Sequence, residues 1–356
     1  MTREAQKPLD SALASRHREA MKMLMGIFEA ARLIPAGVQT GPTLPLTLIS
    51  GFLGAGKTTL INRLLSERHG RRIAVLVNDF GAINIDQDLI RSRSDEAIGL
   101  TNGCVCCSIS GDLTKALLRL LQRSEPPDAV VLEASGVADP HGIAQVALAN
   151  PAIRLNGILT LVDAETFLGH VEDPETAWLV SSQLMAADLI VLNKVDLLDG
   201  GADFVRTRIE QIAAPRTIVE VVQADVPVDV VLGISTERTS RIRCTTEGHA
   251  SSFASWTGSW EVPLDRELLL AALRELPAHV IRAKGVFTLQ DDPVHRSVYQ
   301  RVGRRESFDR DTAARSCRTS SLVVIGPSSG WSERDVERHF AAVATRPART
   351  MLKDEQ

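Results

Sequence analysis

A glycine-rich segment near residue 50 contains the first residue types whose spacing could do chemistry. It reads GFLGAGKT from Gly51, follows an apolar stretch that predicts a strand, and precedes an amphipathic stretch that predicts a helix. The spacing G-x-x-x-x-G-K-[ST] in this context predicts a phosphate-binding loop, in which backbone N–H groups surround a phosphate at a helix N-terminus. We expect Lys57 to reach the β- and γ-phosphates and Thr58 to bind Mg²⁺. The candidate nucleotide-binding residues here are Gly51, Gly54, Ala55, Gly56, Lys57, Thr58 and Thr59.

A second motif lies at the end of another apolar stretch, LIVLNKVD, which contains Asn193, Lys194 and Asp196. A carboxylate beyond a strand end can accept two hydrogen bonds from the edge of guanine, whereas adenine offers the opposite pattern. Asp196 therefore predicts GTP rather than ATP. We expect Asn193 either to bond the base edge or to tie loops together, and the Lys194 stem to lie along the ring.

Two acidic residues follow other predicted strands. Glu133 ends an apolar stretch and precedes a small turn, so it suits a Mg²⁺ contact, direct or through water, while the Gly136 amide would sense the γ-phosphate. Asp79 follows the preceding strand and could bind a metal or orient the attacking water. Lys57, Asp79 and Glu133 are thus the candidate catalytic residues, although either acid could be only a solvated carboxylate at a strand end.

Three thiols lie within four positions, at Cys104, Cys106 and Cys107. They can converge on one soft or borderline cation such as Zn²⁺ and leave a fourth tetrahedral position open. Asp79, a histidine, water or a client protein could complete the coordination, and an incomplete shell suits a metal that is passed on. The alternative is a redox-active or buried cysteine cluster.

The elements that must position these residues alternate between apolar strands and helices from Leu46 onward, which is typical of a mostly parallel, doubly wound α/β sheet. The predicted strands are Leu46–Ser50, Ile73–Asn78, Ala129–Glu133, Gly157–Val162, Leu189–Asn193 and Thr217–Val222. The predicted helices are Thr58–Ser66, Gly111–Gln122, Gly142–Ala149, Thr176–Ala186 and Ala202–Ile212.

The rest of the chain divides by composition. Residues 1–43 predict an extension that is helical or disordered, residues 44–225 a nucleotide-binding domain, and residues 226–252 a polar linker. Residues 253–347 predict a smaller α+β domain. It would contain strands at Phe253–Trp260, Val280–Leu289, Val298–Val302 and Leu322–Ile325, and helices at Leu264–Leu276 and Glu333–Val343.

Composition excludes several classes of protein. A net charge of −4 gives no electrostatic footprint for nucleic acid or for an anionic membrane surface. No apolar run approaches the roughly 18 residues that a membrane helix needs. Five cysteines, three of them clustered, do not form a disulfide framework and are typical of a cytoplasmic metal-binding or catalytic protein.

The motifs ISGFLGAGKTTL, VNDFG, NGCVCC, LEASGVADP and NKVD, in this order, closely resemble the CobW/nitrile hydratase activator family of metallochaperone GTPases, of the SIMIBI class of P-loop proteins. The resemblance extends over about residues 44–345, because RAKGVFTL, VYQRVG and LVVIG are similar to the C-terminal domain of that family. Three positions differ from it: Asp79 replaces a common Glu, Ala134 replaces a common Thr, and the linker holds only His249 where many members have a histidine-rich tract.

The resemblance implies GTP binding, slow Mg²⁺-dependent hydrolysis of GTP, and a transition metal at the three clustered cysteines that is delivered to a client metalloenzyme. Zinc is the expected metal, with cobalt or iron as alternatives. A homodimer is kept as a candidate assembly, separately from the resemblance. The client could instead belong to cobalamin synthesis or be a nitrile hydratase. A non-catalytic, GTP-dependent scaffold that senses metal or redox state is the alternative of another class.

Overall fold

The computed structural model describes residues 43–77, 97–99, 108–150, 152–213, 215–233, 253–277, 279–311, 319–327 and 333–344. The first sheet contains β1 (Leu44–Ser50), β2 (Ile73–Val77), β3 (Ala97–Gly99), β4 (Ala129–Glu133), β5 (Ile153–Asp163), β6 (Leu189–Asn193) and β7 (Thr217–Val221). The helices that alternate with its strands along the chain are α1 (Lys57–Ser66), α2 (Ser108–Leu121), α3 (Pro140–Leu148), α4 (Phe167–Glu172), α5 (Ala177–Ala186) and α6 (Asp203–Ala213). A short helix, α7 (Val228–Leu232), follows β7 in the chain.

The first sheet has the strand order β3-β2-β4-β1-β5-β6-β7. Its pairs β2–β3, β2–β4, β1–β4 and β1–β5 are parallel. Every residue of β2, β4 and β6 is buried, as expected for strands that helices cover on both faces. The predicted mostly parallel α/β fold is therefore confirmed, and the order places β1 and its following loop in the middle of the sheet.

The second sheet is built from β8 (Phe253–Trp260), β9 (Arg282–Leu289), β10 (Asp292–Val302), β11 (Arg305–Asp311) and β12 (Ser320–Pro327). Its order is β11-β10-β9-β12-β8, and all four neighbouring pairs are antiparallel. Two helices, α8 (Arg266–Arg274) and α9 (Glu333–Phe340), contribute to one hydrophobic cluster with this sheet. The predicted smaller α+β architecture is confirmed as well.

Local chemistry explains where α8 begins. The Asp265 carboxylate accepts hydrogen bonds from the backbone N–H groups of Glu267 and Leu268, at 2.9 and 3.0 Å. This is an N-cap, which satisfies two of the donors that the first turn of a helix leaves without partners. The helix then buries Leu269 and Leu273 on its inner face.

The observed elements differ from the sequence predictions at several places. The strand predicted at Gly157–Val162 extends over Ile153–Asp163, and the one predicted at Val298–Val302 begins at Asp292. β3, α4, α7 and β11 had no sequence prediction. α7 lies in the first part of the predicted linker, and its Val230 is fully buried.

The chain divides into two compact units: the first takes in most residues up to Asp225, and the second takes in the chain from Val226 onward together with Asp188–Ile190 and Pro215–Val221. Among the residues described, none of the helices is long and apolar enough to span a bilayer.

Candidate functional site: a nucleotide cavity at the carboxyl edge of the parallel sheet

The loop between β1 and α1 has the backbone of a phosphate-binding loop. Gly51, Gly54 and Gly56 have φ values of 134°, 79° and 102°, in the region that side chains disfavour. A Cβ added to Gly51 would lie 2.2 Å from the Leu161 carbonyl oxygen, so the close approach of this loop to β5 requires glycine. The predicted glycine spacing thus has a physical cause in the fold.

The Lys57 side chain curls back over this loop. It is only 7% exposed, and its Nζ donates hydrogen bonds to the carbonyl oxygens of Gly51 at 2.9 Å and Phe52 at 3.2 Å. These contacts hold the ammonium group beside the loop, where its charge can act on a bound phosphate.

Thr58, at the start of α1, contacts Glu133, at the end of β4. The Thr58 hydroxyl donates a hydrogen bond to Oε1 of Glu133 at 3.1 Å, and the Glu133 side chain is nearly fully buried at the end of β4. Carboxyl ends of parallel strands meet at one edge of the sheet, which is where ligands bind in such folds. A hydroxyl and a carboxylate are hard oxygen donors of the kind that Mg²⁺ prefers, so the two residues fit a Mg²⁺ site.

Thr58 and Glu133 both line a cavity of about 330 Å³, which is within the usual size range of ligand sites. Gly136, in the turn after β4, packs directly on the loop: a Cβ there would lie 2.9 Å from the backbone nitrogen of Leu53. The cavity is lined by Leu53, Gly54, Gly56, Lys57, Thr58, Thr59, Val77, Glu133, Ala134, Ser135 and Gly136. The structure therefore brings the predicted loop residues, Glu133 and Gly136 to one site. Ala55, in the same loop, is 1% exposed.

Asn193 joins two loops. Its Nδ2 donates to the Ala55 carbonyl oxygen at 3.0 Å, and its Oδ1 accepts from the Ala224 backbone N–H at 2.8 Å. Of the two roles that the sequence left open, the observed contacts are those of a tie between loops. Ala224 and Gln223, which follow β7, both have positive φ values and had no prediction from the sequence.

Lys194 adopts a left-handed backbone conformation, with φ of 63°. Its Nζ forms an ion pair at 2.6 Å with Oδ2 of Asp163, at the end of β5, and the Asp163 side chain is 8% exposed. Asp196 lies in the following 3₁₀ turn and is exposed to solvent. Sequence reasoning missed Asp163, although an acid directly after a long apolar stretch was the same signal that identified Glu133.

One further electrostatic feature lies at the end of α1. Burial raises the pKa of the Glu67 carboxyl, and the nearby Asp225 carboxylate raises this pKa further, while Arg63 opposes both. Arg63 forms an ion pair with Asp225, in the loop that Asn193 holds.

Asp79, Cys104, Cys106 and Cys107 lie outside the described residues. The described flanks of the cysteine segment are β3 and α2: Gly99 ends β3, and Ser108 begins α2 immediately after Cys107. Gly99 is in register with Val77 of β2, which lines the cavity. Among the described residues, no cluster of three or more His, Cys, Asp or Glu side chains is arranged to hold a metal ion.

The parallel sheet, the glycine loop and the lysine over it define a P-loop nucleotide-binding protein. Comparison with known sequences gives the family. Residues 45–222 match the nucleotide-binding domain described as CobW/HypB/UreG, and residues 253–344 match the cobalamin synthesis protein CobW C-terminal domain. The chain belongs to the CobW family.

Two of the proteins that resemble this chain in sequence are named zinc chaperones. The chain is 35% identical to the zinc chaperone CobW of Pseudomonas aeruginosa, over 81% of this chain and 89% of that protein. It is 31% identical to the zinc chaperone YjiA of Escherichia coli, over 75% of this chain and 89% of that protein. A crystal structure of Zn(II)-bound YjiA from E. coli aligns with a TM-score of 0.40 at 24% identity, covering 85% of this chain and 99% of that one.

Proposed function

We propose that this chain is a GTP-dependent metallochaperone. It binds GTP in the cavity, binds a transition metal ion as cargo at Cys104, Cys106 and Cys107, and couples binding and slow hydrolysis of GTP to transfer of the metal to a client metalloprotein. The relatives named zinc chaperones support zinc as the cargo. For this proposal we keep the domain limits that the sequence predicts: residues 44–225 for the nucleotide-binding domain and residues 253–347 for the C-terminal domain.

One observation carries the proposal: β3, the strand that precedes the cysteine segment in the sequence, pairs with β2, whose last residue lines the nucleotide cavity. Val77 lines the cavity and is paired with Gly99, and the chain reaches Cys104 five residues after Gly99. A phosphate bound between Lys57 and Gly136 would therefore lie close to β3, which precedes the three cysteines in the sequence. A nucleotide that orders the loops around the cavity can then change the geometry of the cysteine segment.

The residues at the cavity have separable roles in this proposal. Lys57 places a positive charge on the β- and γ-phosphates, and the Gly136 amide faces the terminal phosphate. Thr58 and Glu133 hold Mg²⁺, which neutralises phosphate charge when bound. Asn193 keeps the P-loop and the loop after β7 together, while Asp163 fixes Lys194 beside the expected position of the base. Asp196 selects guanine, and Asp79 is the candidate to orient water.

Zn²⁺ competition and GTP-analogue titration test the proposal in three forms of the protein: wild type, Cys106→Ala and Lys57→Ala. We expect Cys106→Ala to lose tight Zn²⁺ binding and keep GTP binding. Lys57→Ala should lose about a hundredfold in GTP affinity, because charge-assisted contacts to phosphate are lost, and keep Zn²⁺ binding. The exposed Lys115→Ala, on α2, is the matched control.

Thermodynamic linkage between GTP binding and Zn²⁺ binding provides the test of whether the two sites are coupled. If GTP raises the affinity for Zn²⁺ by some factor, Zn²⁺ must raise the affinity for GTP by the same factor. Equal GTP affinities with and without Zn²⁺ would contradict the coupling. Unchanged metal stoichiometry in Cys106→Ala would contradict the assigned metal site. Repeating the competition with Co²⁺ and Fe²⁺ tests the other cargoes, and phosphate release at background with every metal would favour a non-catalytic sensor.

A further inference from the structure

A buried glutamine on α5 contacts the turn that follows Glu133. Gln183 is 1% exposed, and its Nε2 donates hydrogen bonds to the carbonyl oxygens of Gly136 at 3.0 Å and Ala138 at 3.3 Å. Both partners are acceptors only, so the side chain must present its NH₂ group and both of its protons. The contact therefore requires a side chain that donates two hydrogen bonds, and the amide of Gln183 does so without a buried charge.

The turn that Gln183 holds is the one that lines the nucleotide cavity. The backbone N–H of Ala138 donates to the Ser135 carbonyl oxygen at 2.9 Å, which closes a four-residue turn. Ser135 and Gly136 line the nucleotide cavity, and Gly136 packs against the backbone of Leu53 in the P-loop. The turn thus lies between α5 and the P-loop and contacts both.

Neighbouring bonds anchor this part of α5. The Thr160 hydroxyl, on β5, donates to the Gln183 carbonyl oxygen at 3.1 Å, which satisfies a carbonyl group in the last turn of the helix. The Ser182 hydroxyl donates to Oδ1 of Asp139 at 3.0 Å, and the same oxygen caps α3 by accepting from the His141 N–H. Gln183 therefore binds the segment 136–139 at residues 136 and 138, and its neighbour Ser182 binds it at residue 139.

We propose that Gln183 is a positioning residue that sets the turn after β4 at the distance from the P-loop that a nucleoside triphosphate requires. This inference rests on the proposed nucleotide-binding function. A diphosphate lacks the terminal phosphate that the Gly136 amide would meet, so its binding does not depend on the turn. Loss of the amide should therefore weaken triphosphate binding and slow hydrolysis while leaving diphosphate binding in place.

Gln183→Met is the decisive variant, because it keeps the volume and removes both donors. The affinities for GDP and for a non-hydrolysable GTP analogue are measured by titration calorimetry, and kcat by phosphate release. We expect the preference for the analogue over GDP and kcat each to fall about tenfold, the factor that corresponds to one or two net hydrogen bonds. GDP affinity should stay within about twofold of wild type. Gln145→Met, at an exposed position on α3, is the control and should change none of these values.

Equal losses of GDP and analogue affinity would overturn the inference, because they would indicate a structural role alone. So would an unchanged preference for the analogue. If Gln183→Met does not fold, Thr160→Val removes the bond to the Gln183 carbonyl and should lower the same preference about threefold, with no change contradicting the inference. A wild-type protein that binds neither nucleotide would overturn the proposed function and this inference together, whereas normal wild-type binding with an unaltered preference in the variants removes only the role of Gln183.

Discussion

The parallel sheet has buried polar side chains at the ends of several strands, whereas the antiparallel sheet has a cluster of aromatic rings against its core. In the parallel sheet the buried polar side chains of Glu133, Asp163 and Asn193 lie at the last residue of their strands. Further polar side chains, those of Thr47, Asn156 and Thr160, are buried within β1 and β5. In the antiparallel sheet the fully buried Phe287 packs with two partly buried aromatic rings, and its ring centroid lies 6.4 Å from that of Trp260 and 6.3 Å from that of Phe308.

This difference follows from strand direction. Parallel strands deliver all their carboxyl ends to one edge, so a polar residue at the end of each strand converges on one place without breaking the core. Antiparallel strands alternate their ends, so polar ends are divided between two edges. The core-facing residues of the second sheet then pack together, and aromatic pairs at these separations stabilise it beyond the burial of their area. Substitutions in the aromatic core should therefore lower stability, whereas substitutions at the ends of the parallel strands should lower nucleotide affinity.

The largest expected effect is on stability, from Phe287→Ala in the aromatic core. Phe287 is fully buried, and its removal should lower the free energy of unfolding of the second unit by about 3–5 kcal/mol. Nucleotide affinity should not change while the chain is folded. Denaturant unfolding followed by tryptophan fluorescence measures this, in a Trp178→Phe background that removes the exposed tryptophan of α5. Val294→Ala, on an exposed side chain of β10, should cost less than about 0.5 kcal/mol. A loss of nucleotide affinity in Phe287→Ala would break the contrast between the two sheets.

The next effect is on binding, from Asn193→Ala at the parallel edge. The substitution leaves the Ala55 carbonyl and the Ala224 N–H without their observed partner, at a cost of about 2 kcal/mol, or about thirtyfold in nucleotide affinity. Asn156→Ala is a matched control, because this buried amide donates to Thr47 Oγ1 at 3.1 Å within the sheet and outside the cavity lining. The control should lose stability and keep nucleotide affinity. Equal binding losses in the two variants would show that the strand end has no special role.

The smallest effect is a pH dependence confined to the antiparallel sheet. Burial raises the pKa of Tyr299, and the carboxylate of Glu306, which its hydroxyl contacts, raises it further. A phenol whose pKa is higher in the folded than in the unfolded chain favours folding at pH values below about 10, and this contribution is lost as the pH rises above 10. We expect stability to fall above pH 10 with a slope of up to about 1.4 kcal/mol per pH unit from this group.

Tyr299 is the only tyrosine, so absorbance titration of the folded chain reports on it alone. Tyr299→Phe removes the contribution of this phenol and should show a correspondingly shallower loss between pH 10 and 11. Ionisation of the folded chain near pH 10 would contradict the prediction.

Features encoded in short, contiguous stretches could be predicted from the sequence. The P-loop is one, because its glycines and lysine act through the backbone next to them. The buried strands at Ile73, Ala129 and Leu189 are others, because full burial makes them continuous apolar runs. β11 was missed since its sequence RESFDRD has one apolar residue, and only its pairing with β10 makes it a strand. β3 has three residues, too few to show a period.

Asp163 had a local signal, but two other missed parts of the site, the contacts of Ala224 and Gln183, depend on residues distant in the sequence. Asn193 meets Ala224 across 31 positions, through a backbone group whose sequence carries no signal. Gln183 lies in an apolar helix and could equally have been a solvent-facing residue; only the fold buries it against the turn after β4. Side-chain chemistry at a motif can be recognised locally, whereas the groups that hold the motif in place are specified by tertiary packing.

The contact between Thr58 and Glu133 has a consequence for how a cation would be received. A hydroxyl has one proton, and here that proton is committed to a carboxylate that cannot donate in return. The oxygen lone pairs are thereby left to face the cavity, already oriented for a metal. An amide at position 133 could donate instead, which would let the hydroxyl turn its proton toward the positive ion. Glu133 therefore acts on the metal partly by orienting the Thr58 hydroxyl. Glu133→Gln would keep the shape of the side chain but lose both the negative charge and this orientation.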